Sequence, residues 1–386
     1  MITIADRISG VEEYYFSKKL REIAQLRAQG KDIINLGIGS PDLKPADTVI
    51  NALNQTSQKD NVHGYQSYKG IPTLRQAFTA WYKKYYSVDL NPDTEILPLI
   101  GSKEGIMHIS MTYLNPGDEV LVPNPGYPAY AASAKLTGAT CRYYSLSDTQ
   151  GWLPDLKALE NTDLSKVKMM WVNYPNMPTG TCASKSLFEE LKAFGERNQI
   201  LICNDNPYSF ILNDQPLSML SAGLSDYVLE LNSLSKSHNM AGWRVGMIAA
   251  NEQHINNILT FKSNMDSGMF LGIQEAAIEA LKLGDDWYES VNETYKERRA
   301  VVWQIMDTLN CQYDKDQVGM FVWAKIPESI ADVDVMINEI LHQADVFITP
   351  GFIFGDNGKR YIRISLCAPA ATFEKALERI KNIKNK

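Results

Sequence analysis

The chain has 386 residues, 45% of them hydrophobic and 22% charged, which is more than one core usually holds and points to a soluble protein of two domains. A net charge of −7, a pI near 5.4 and scattered Lys and Arg exclude a non-specific nucleic-acid binder. No apolar run is long enough to cross a bilayer and MITIADRISG does not read as a signal peptide, while five spaced cysteines (Cys141, Cys182, Cys203, Cys311, Cys367) without a CxxC pair fit reduced thiols in a cytoplasmic protein.

In chain order, strand and helix signals alternate without internal repeats or low-complexity tracts. Apolar residues at helical spacing predict a helix over 12–29, stopped by Gly30. DIINLGIGSPDL, residues 32–43, reads as a short strand entering a turn in which Gly37 and Gly39 let the backbone approach another group closely. GIGSPD lacks the third glycine of a dinucleotide fingerprint, which counts against a nicotinamide dehydrogenase. Helices are expected over 45–56 and 71–86, joined by the polar link HGYQSYKG with Tyr65. A strand at 95–100, the turn GSKEG, a helix at 106–114 and a strand at 119–123 come next. After NPGYPAY come a helix and strands near 140–145, 168–173 and 200–204, with a helix at 184–197.

This alternation predicts βαβ units and an α/β fold with a mostly parallel sheet between helices. Right-handed crossovers would gather the loops carrying Ser102, Tyr127, Asn176, Asp205 and Lys236 on one sheet edge. Beyond about Leu271 the pattern becomes α+β: a long helix through Arg298 and Ile305, GMFVWAKI, a helix at 333–343, VFITPG, YIRISLC and a closing helix at 371–384. The expected division is a large domain over 46–275 and a smaller one made of 1–45 with 276–386.

The stretch LELNSLSKSHNMAGWRVGM, residues 229–247, carries the main chemical signal. A lysine at the end of a buried strand loses solvation, its pKa falls, and it becomes a candidate Schiff-base nucleophile; Lys236 holds that position. Asp205 ends another apolar strand and needs a cationic partner, such as a protonated pyridine nitrogen, with Tyr208 three residues on as a donor to a ring oxygen. GSKEG lies between strand and helix, where backbone N–H groups, Ser102 and Lys103 suit a phosphate that Arg244 can meet as a fork. Tyr127 is a candidate stacking platform, and Arg363, alternating with Ile362 and Ile364, faces either solvent or a cleft holding a substrate carboxylate. Taken singly, each has an ordinary structural explanation: a surface lysine, a capped helix start, a packed loop aromatic.

Together, GIGSPD, Tyr65-x4-Gly70-x3-Leu74-Arg75, GSKEG, NPGYP, YPNMPTG, DNPY, SLSKSHNMAGWRVG, PGFIFG and YIRIS resemble the pyridoxal-phosphate-dependent class I/II aminotransferases of fold type I, from about residue 30 to 370. The branch most similar holds LL-diaminopimelate, methionine, aspartate and aromatic aminotransferases. The resemblance implies a seven-stranded large-domain sheet, pyridoxal 5′-phosphate and a homodimer with shared active sites. It casts Lys236 as the internal aldimine lysine and proton shuttle, Asp205 as the pyridinium partner and Tyr208 as the ring-oxygen donor. Ser102, Lys103, Ser233, Ser235 and Arg244 become the phosphate cup, with Tyr65 reaching the phosphate of the other subunit, Tyr127 stacking on the ring, and Arg363 and the Gly39 backbone meeting the substrate. YPNMPTG departs from the family, which has asparagine where Met177 stands, so Asn176 is the candidate replacement. The tyrosine-rich segment Tyr14, Tyr15, Phe16 is similar to a substrate lid, with Tyr15 the assigned contact. No metal is implied. The reaction expected is ping-pong transfer of an amino group from an L-amino acid to a 2-oxo acid such as 2-oxoglutarate. A lyase, decarboxylase or racemase on the same fold is the alternative, and a cofactor-sensing DNA-binding regulator is expected to lack room for its DNA-binding segment.

Overall fold

A computed structural model describes residues 2–9 and 15–384; Tyr14 lies outside them. At the N-terminus, α1 (Asp6–Ser9) and α2 (Tyr15–Ala28) precede the two-residue strand β1 (Ile34–Asn35). Next come α3 (Asp47–Ser57) and α4 (Pro72–Tyr86). Pro72 opens α4 where its missing N–H costs nothing, and Ser87 closes it in the left-handed region.

The central sheet is built from β2 (Ile96–Leu99), β3 (Glu119–Asn124), β4 (Thr140–Ser145), β5 (Val167–Val172), β6 (Leu201–Asp205), β7 (Val228–Ser233) and β8 (Gly246–Ala250). Its seven strands run in the order β2-β8-β7-β6-β5-β3-β4. Pairings among β3 to β7 are parallel, and β8 is antiparallel to both of its neighbours. The mostly parallel sheet expected from the alternation is therefore present. β5, β6 and β7 are buried on both faces, as helices on either side of a parallel sheet require. Those helices are α5 (Ser102–Tyr113), α6 (Pro128–Leu136), α7 (Leu156–Glu160), α8 (Lys185–Asn198), the single turn α9 (Leu234–Ser237), α10 (Glu252–Lys262) and α11 (Leu271–Leu281). α5 starts at Ser102, four residues before its expected start, because GSKEG is itself the first turn.

The 24-residue helix α12 (Asp285–Thr308) leads to the remaining elements, β9 (Gln312–Tyr313), β10 (Phe321–Lys325), α13 (Val333–Ala344), β11 (Val346–Phe347), β12 (Thr349–Pro350), β13 (Tyr361–Ser365) and α14 (Ala370–Lys384). A four-stranded antiparallel sheet, β12-β13-β10-β9, forms there, and β1 pairs in parallel with β11, so the N-terminal segment joins this unit. The segment expected as one strand, VFITPG, is two: Phe347 belongs to the β1 pair and Thr349 to the β13 pair. Apolar packing follows the same partition. One cluster runs from Val49 to Tyr288, and a second joins Ile34, Leu36, Met177 and Ile211 to residues from Val291 onward, so that, apart from Met177 and Ile211, the changeover along the chain falls inside α12. Among the described residues no helix is long and apolar enough to cross a membrane.

Candidate active site

Strand direction creates the site. Ser102, Tyr127, Asp205 and Lys236 follow or end strands whose C-termini share one edge, and because β8 is antiparallel, Arg244 at its start reaches that edge too. There they line a cavity of about 580 Å³ together with Lys103, Tyr208, Ser233, Ser235, Gly39 and Arg363. The loop that carries Gly39 is held by a two-pronged ion pair in which both Nη atoms of Arg298 in α12 donate to Asp42, at 2.7 and 2.8 Å.

Lys236 lies in α9, immediately after β7, and its Nζ donates to the Gly39 carbonyl at 2.6 Å. Burial holds its pKa below the ordinary lysine value, Cys367 pulls it back, and the cations Arg363 and Arg244 lower it further. Asp205 is 5% exposed, and burial raises its carboxyl to about 6, against the hydrogen bond that Tyr130 Oη donates to Oδ2 at 2.9 Å. Its other oxygen, Oδ1, is buried with no hydrogen-bond partner. Burial likewise drives the Tyr208 phenol upward, with Arg363 opposing, while the Tyr208 ring stands edge-on to Phe321.

Around the start of α5 the backbone leaves little room. Gly101, at φ +89°, caps α5, and a Cβ there would lie 2.2 Å from Arg244 Nη2; a Cβ on Gly246 would lie 2.7 Å from the Ser102 nitrogen. Arg244 itself sits at φ 59°, a costly conformation for a non-glycine residue of the kind that concentrates at functional sites, and its Nη1 donates to Ala241 O. Ser233 Oγ donates to Ser235 Oγ at 2.9 Å and accepts from the Ser235 N–H. Across the cavity, Arg363 is 4% exposed, donates to the Gly37 carbonyl at 2.8 Å, and has its guanidinium 4.0 Å from the Phe321 ring centroid.

Two expected residues, Asn176 and Tyr15, lie elsewhere. Asn176 turns into its own loop, where its Oδ1 accepts from the hydroxyl and N–H of Thr179, so it closes the 176–181 turn rather than lining the cavity. Asn173, three residues earlier, lines the cavity instead; its Nδ2 donates to the Asp205 carbonyl and its Oδ1 accepts from the Met177 N–H. Tyr15 is off the cavity wall because its ring packs edge-on against Phe352 and joins the cluster of Ile23, Ile33, Leu341 and Phe347; Leu20, also on α2, reaches the wall. Tyr65 is 93% exposed and makes no part of its own chain's cavity. Tyr130 was missed in the sequence. It lies in the first turn of α6, three residues after Tyr127, whose ring it meets edge-on at 5.5 Å, and its own ring stacks on Trp171 at 4.9 Å.

A flat aromatic ring with a cationic nitrogen and a phosphate fits this arrangement: the unsatisfied Asp205 oxygen meets the cation, Tyr127 offers a face, and serines, Arg244 and the start of α5 take the phosphate. A seven-stranded sheet of this order with a buried lysine at its C-terminal edge is an α/β fold with a site suited to an aldehyde cofactor. The family model described as "Aminotransferase class I and II" matches residues 31–380. An LL-diaminopimelate aminotransferase from Dehalococcoides mccartyi is 39% identical over 384 residues, covering 99% of both chains, and one from Aquifex aeolicus is 35% identical over 387 residues, covering 100% of both. Among solved structures, substrate-bound BacF from Bacillus subtilis superposes with a TM-score of 0.93 at 34% identity, covering 99% of this chain and 98% of its own. A single mutant of the aspartate aminotransferase of Thermus thermophilus, at 22% identity and a TM-score of 0.92 over 99% of this chain and 100% of its own, shows the same fold. The chain belongs to the class I/II aminotransferase family. It is a pyridoxal-phosphate-dependent aminotransferase, acting on an amino acid and a 2-oxo acid.

Proposed function

We propose that the protein transfers the amino group of LL-diaminopimelate to 2-oxoglutarate as a cytoplasmic homodimer. The observation that carries the substrate is full-length similarity, at 35 to 39% identity, to enzymes of that name. Bound in the cavity, pyridoxal phosphate would supply an electron sink for the carbanion formed at the substrate's Cα. Lys236 Nζ would carry the cofactor and then hold and return the Cα proton, a role suited to an amine whose pKa burial lowers. Asp205 would hold the ring nitrogen, positioned by Tyr130 and Asn173. Tyr208 would donate to the ring oxygen. Arg363 would clamp the α-carboxylate, and Ser102, Lys103, Ser233, Ser235 and Arg244 the phosphate. Exposed Tyr65 would complete the partner's phosphate site.

One observation favours a second reading. Among the described residues that line the cavity Asp205 is the sole acid, and Leu20, Ile38, Met177, Phe321 and Phe354 are apolar, which suits methionine or an aromatic amino acid better than a distal ammonium. Adding each of LL-diaminopimelate, methionine, aspartate and phenylalanine to the yellow holoenzyme separates the readings. Loss of the visible band with LL-diaminopimelate, reversed by 2-oxoglutarate, is expected. Its failure beside a response to phenylalanine or methionine overturns the first reading.

A further inference from the structure

Under the first turn of α5 lies a group of ionisable side chains that the transfer chemistry leaves unused. Glu104 Oε2 accepts the Ile100 N–H at 2.9 Å and so closes the turn that presents Ser102 and Lys103. Its Oε1 is 3.1 Å from Nε2 of His108, one helical turn on. His108 is 2% exposed, and neither ring nitrogen has an aligned hydrogen bond. Asp266, from the loop after α10, brings a third group, so that one atom each from Glu104, His108 and Asp266 lie within 4.8 Å of one another. Asp266 Oδ1 accepts from Lys262 Nζ and from the Gly268 N–H, both at 2.9 Å, whereas Oδ2 is buried without a partner.

The three donors suit a divalent cation in kind, but Lys262, 2% exposed, already stands on Asp266. A divalent ion beside that ammonium would set three positive charges against two carboxylates in a buried place. The group is better read as a mechanical tie. Beyond Asp266, Gly268 is pressed so closely on the 66–67 backbone that a Cβ would lie 2.5 Å from the Gln66 carbonyl oxygen, and His63 stacks on Phe270 at 5.8 Å. The Asp266 loop thus packs on the link that carries Tyr65, 93% exposed, and Tyr68 and Met265 in the same two segments are 43% and 61% exposed.

We propose that His108, held between Glu104 and Asp266, is a positioning residue that couples phosphate binding at the Ser102–Lys103 turn to the Tyr65 surface, so that filling one protomer's site strengthens its grip on the partner. The proposal rests on the reading above, that the turn holds the cofactor phosphate and the Tyr65 surface meets a second copy of the chain. An anion drawing in the first turn of α5 moves Glu104 and His108 together, and the buried Oδ2 of Asp266 is the group the imidazole can engage. By linkage, tighter dimerisation must then mean tighter phosphate binding.

The test measures subunit dissociation of the full-length protein by analytical ultracentrifugation, saturated with pyridoxal phosphate or with pyridoxal, which lacks the phosphate. In the unmodified protein the phosphate form should associate roughly tenfold more tightly, and in His108→Gln that advantage should shrink to about twofold. His108→Gln/Asp266→Asn should be no worse than either single change, as expected of residues in one network. An undiminished phosphate advantage in His108→Gln, or additive losses in the double variant, overturns the coupling; His108→Asn and Glu104→Gln give the same readout should His108→Gln not fold. A divalent ion retained stoichiometrically by the unmodified protein and lost from His108→Gln overturns it in favour of a metal site. A protein that gains no visible band with pyridoxal phosphate, or stays monomeric when loaded, removes the underlying reading and the proposal with it.

Discussion

Asp205 shows at the scale of one residue how the site is primed. Its carboxyl, at 3.8 in the free side chain and about 6 in the folded chain, is raised because burial is answered by one donor at Oδ2 and none at Oδ1. Below pH 3.8 both folded and unfolded chains hold the proton and nothing is lost. As pH rises toward 6 the folded state must give up a proton it binds more tightly, so the cofactor-free protein bears a growing penalty, worth on the order of 3 kcal/mol above that point. Asp205→Asn should therefore raise the urea midpoint of the cofactor-free protein at about pH 8 and leave it nearly unchanged near pH 4, while weakening cofactor retention. A variant less stable than its parent at the higher pH would show that the carboxylate is satisfied by another route. Lys236→Ala should abolish transamination while the protein still binds pyridoxal phosphate noncovalently, detectable by fluorescence quenching; retained turnover would assign the chemistry to another group.

These two residues were legible in the sequence because each is a charge closing an apolar run, a placement that burial makes costly. Tyr130 and Asn173 were not, since a tyrosine inside a helix and an asparagine after a strand are common without any site. Tyr130 stands close to Tyr127 in NPGYPAY, and Asn173 is the first polar residue after VKMMWV, but neither position separates a site residue from a packed one. Asn176 drew attention by its place in a motif, although nothing in the string distinguishes a side chain that closes its own turn from one that faces a ligand.

Among the elements, the turn between β2 and α5 shows what a short motif encodes. The strands expected at 95–100, 119–123, 140–145, 168–173 and 200–204 came out within a residue of those limits, because each is a short run rich in apolar, aromatic or β-branched residues, a local signal. The tight meeting of Gly101 with Arg244 is a contact between residues 143 apart in sequence, which periodicity does not carry. Ala at 101 would hold a non-glycine side chain at φ +89° and place its Cβ 2.2 Å from Arg244 Nη2. Gly101→Ala should lower stability by about 1 to 3 kcal/mol in urea unfolding and weaken pyridoxal phosphate binding far more than pyridoxal binding. Gly117, at φ +95° with nothing within 4 Å of a Cβ, is the control: Gly117→Ala should cost stability alone. Equal loss of both ligands in Gly101→Ala would mean that the turn positions the ring, not the phosphate.

For the whole molecule, the single chain leaves a contradiction that a second copy resolves. Tyr65, Tyr68 and Met265 leave large apolar side chains in water, and the described lining of the cavity includes none of them. If each Tyr65 completes the partner's phosphate site, one site draws Lys236 from one chain and Tyr65 from the other. Mixing inactive Tyr65→Ala and Lys236→Ala proteins and allowing subunits to exchange should then give hybrid dimers in which one site carries both defects and the other carries neither. Random pairing makes half of the dimers hybrids, so activity should recover to roughly a quarter of the unmodified level. The recovered activity should show the unmodified KM, since each working site is intact. Full exchange, shown by differently tagged chains in one dimer, with no recovery would mean that Tyr65 serves its own chain or no site at all, and the exposed apolar side chains would then need a different partner.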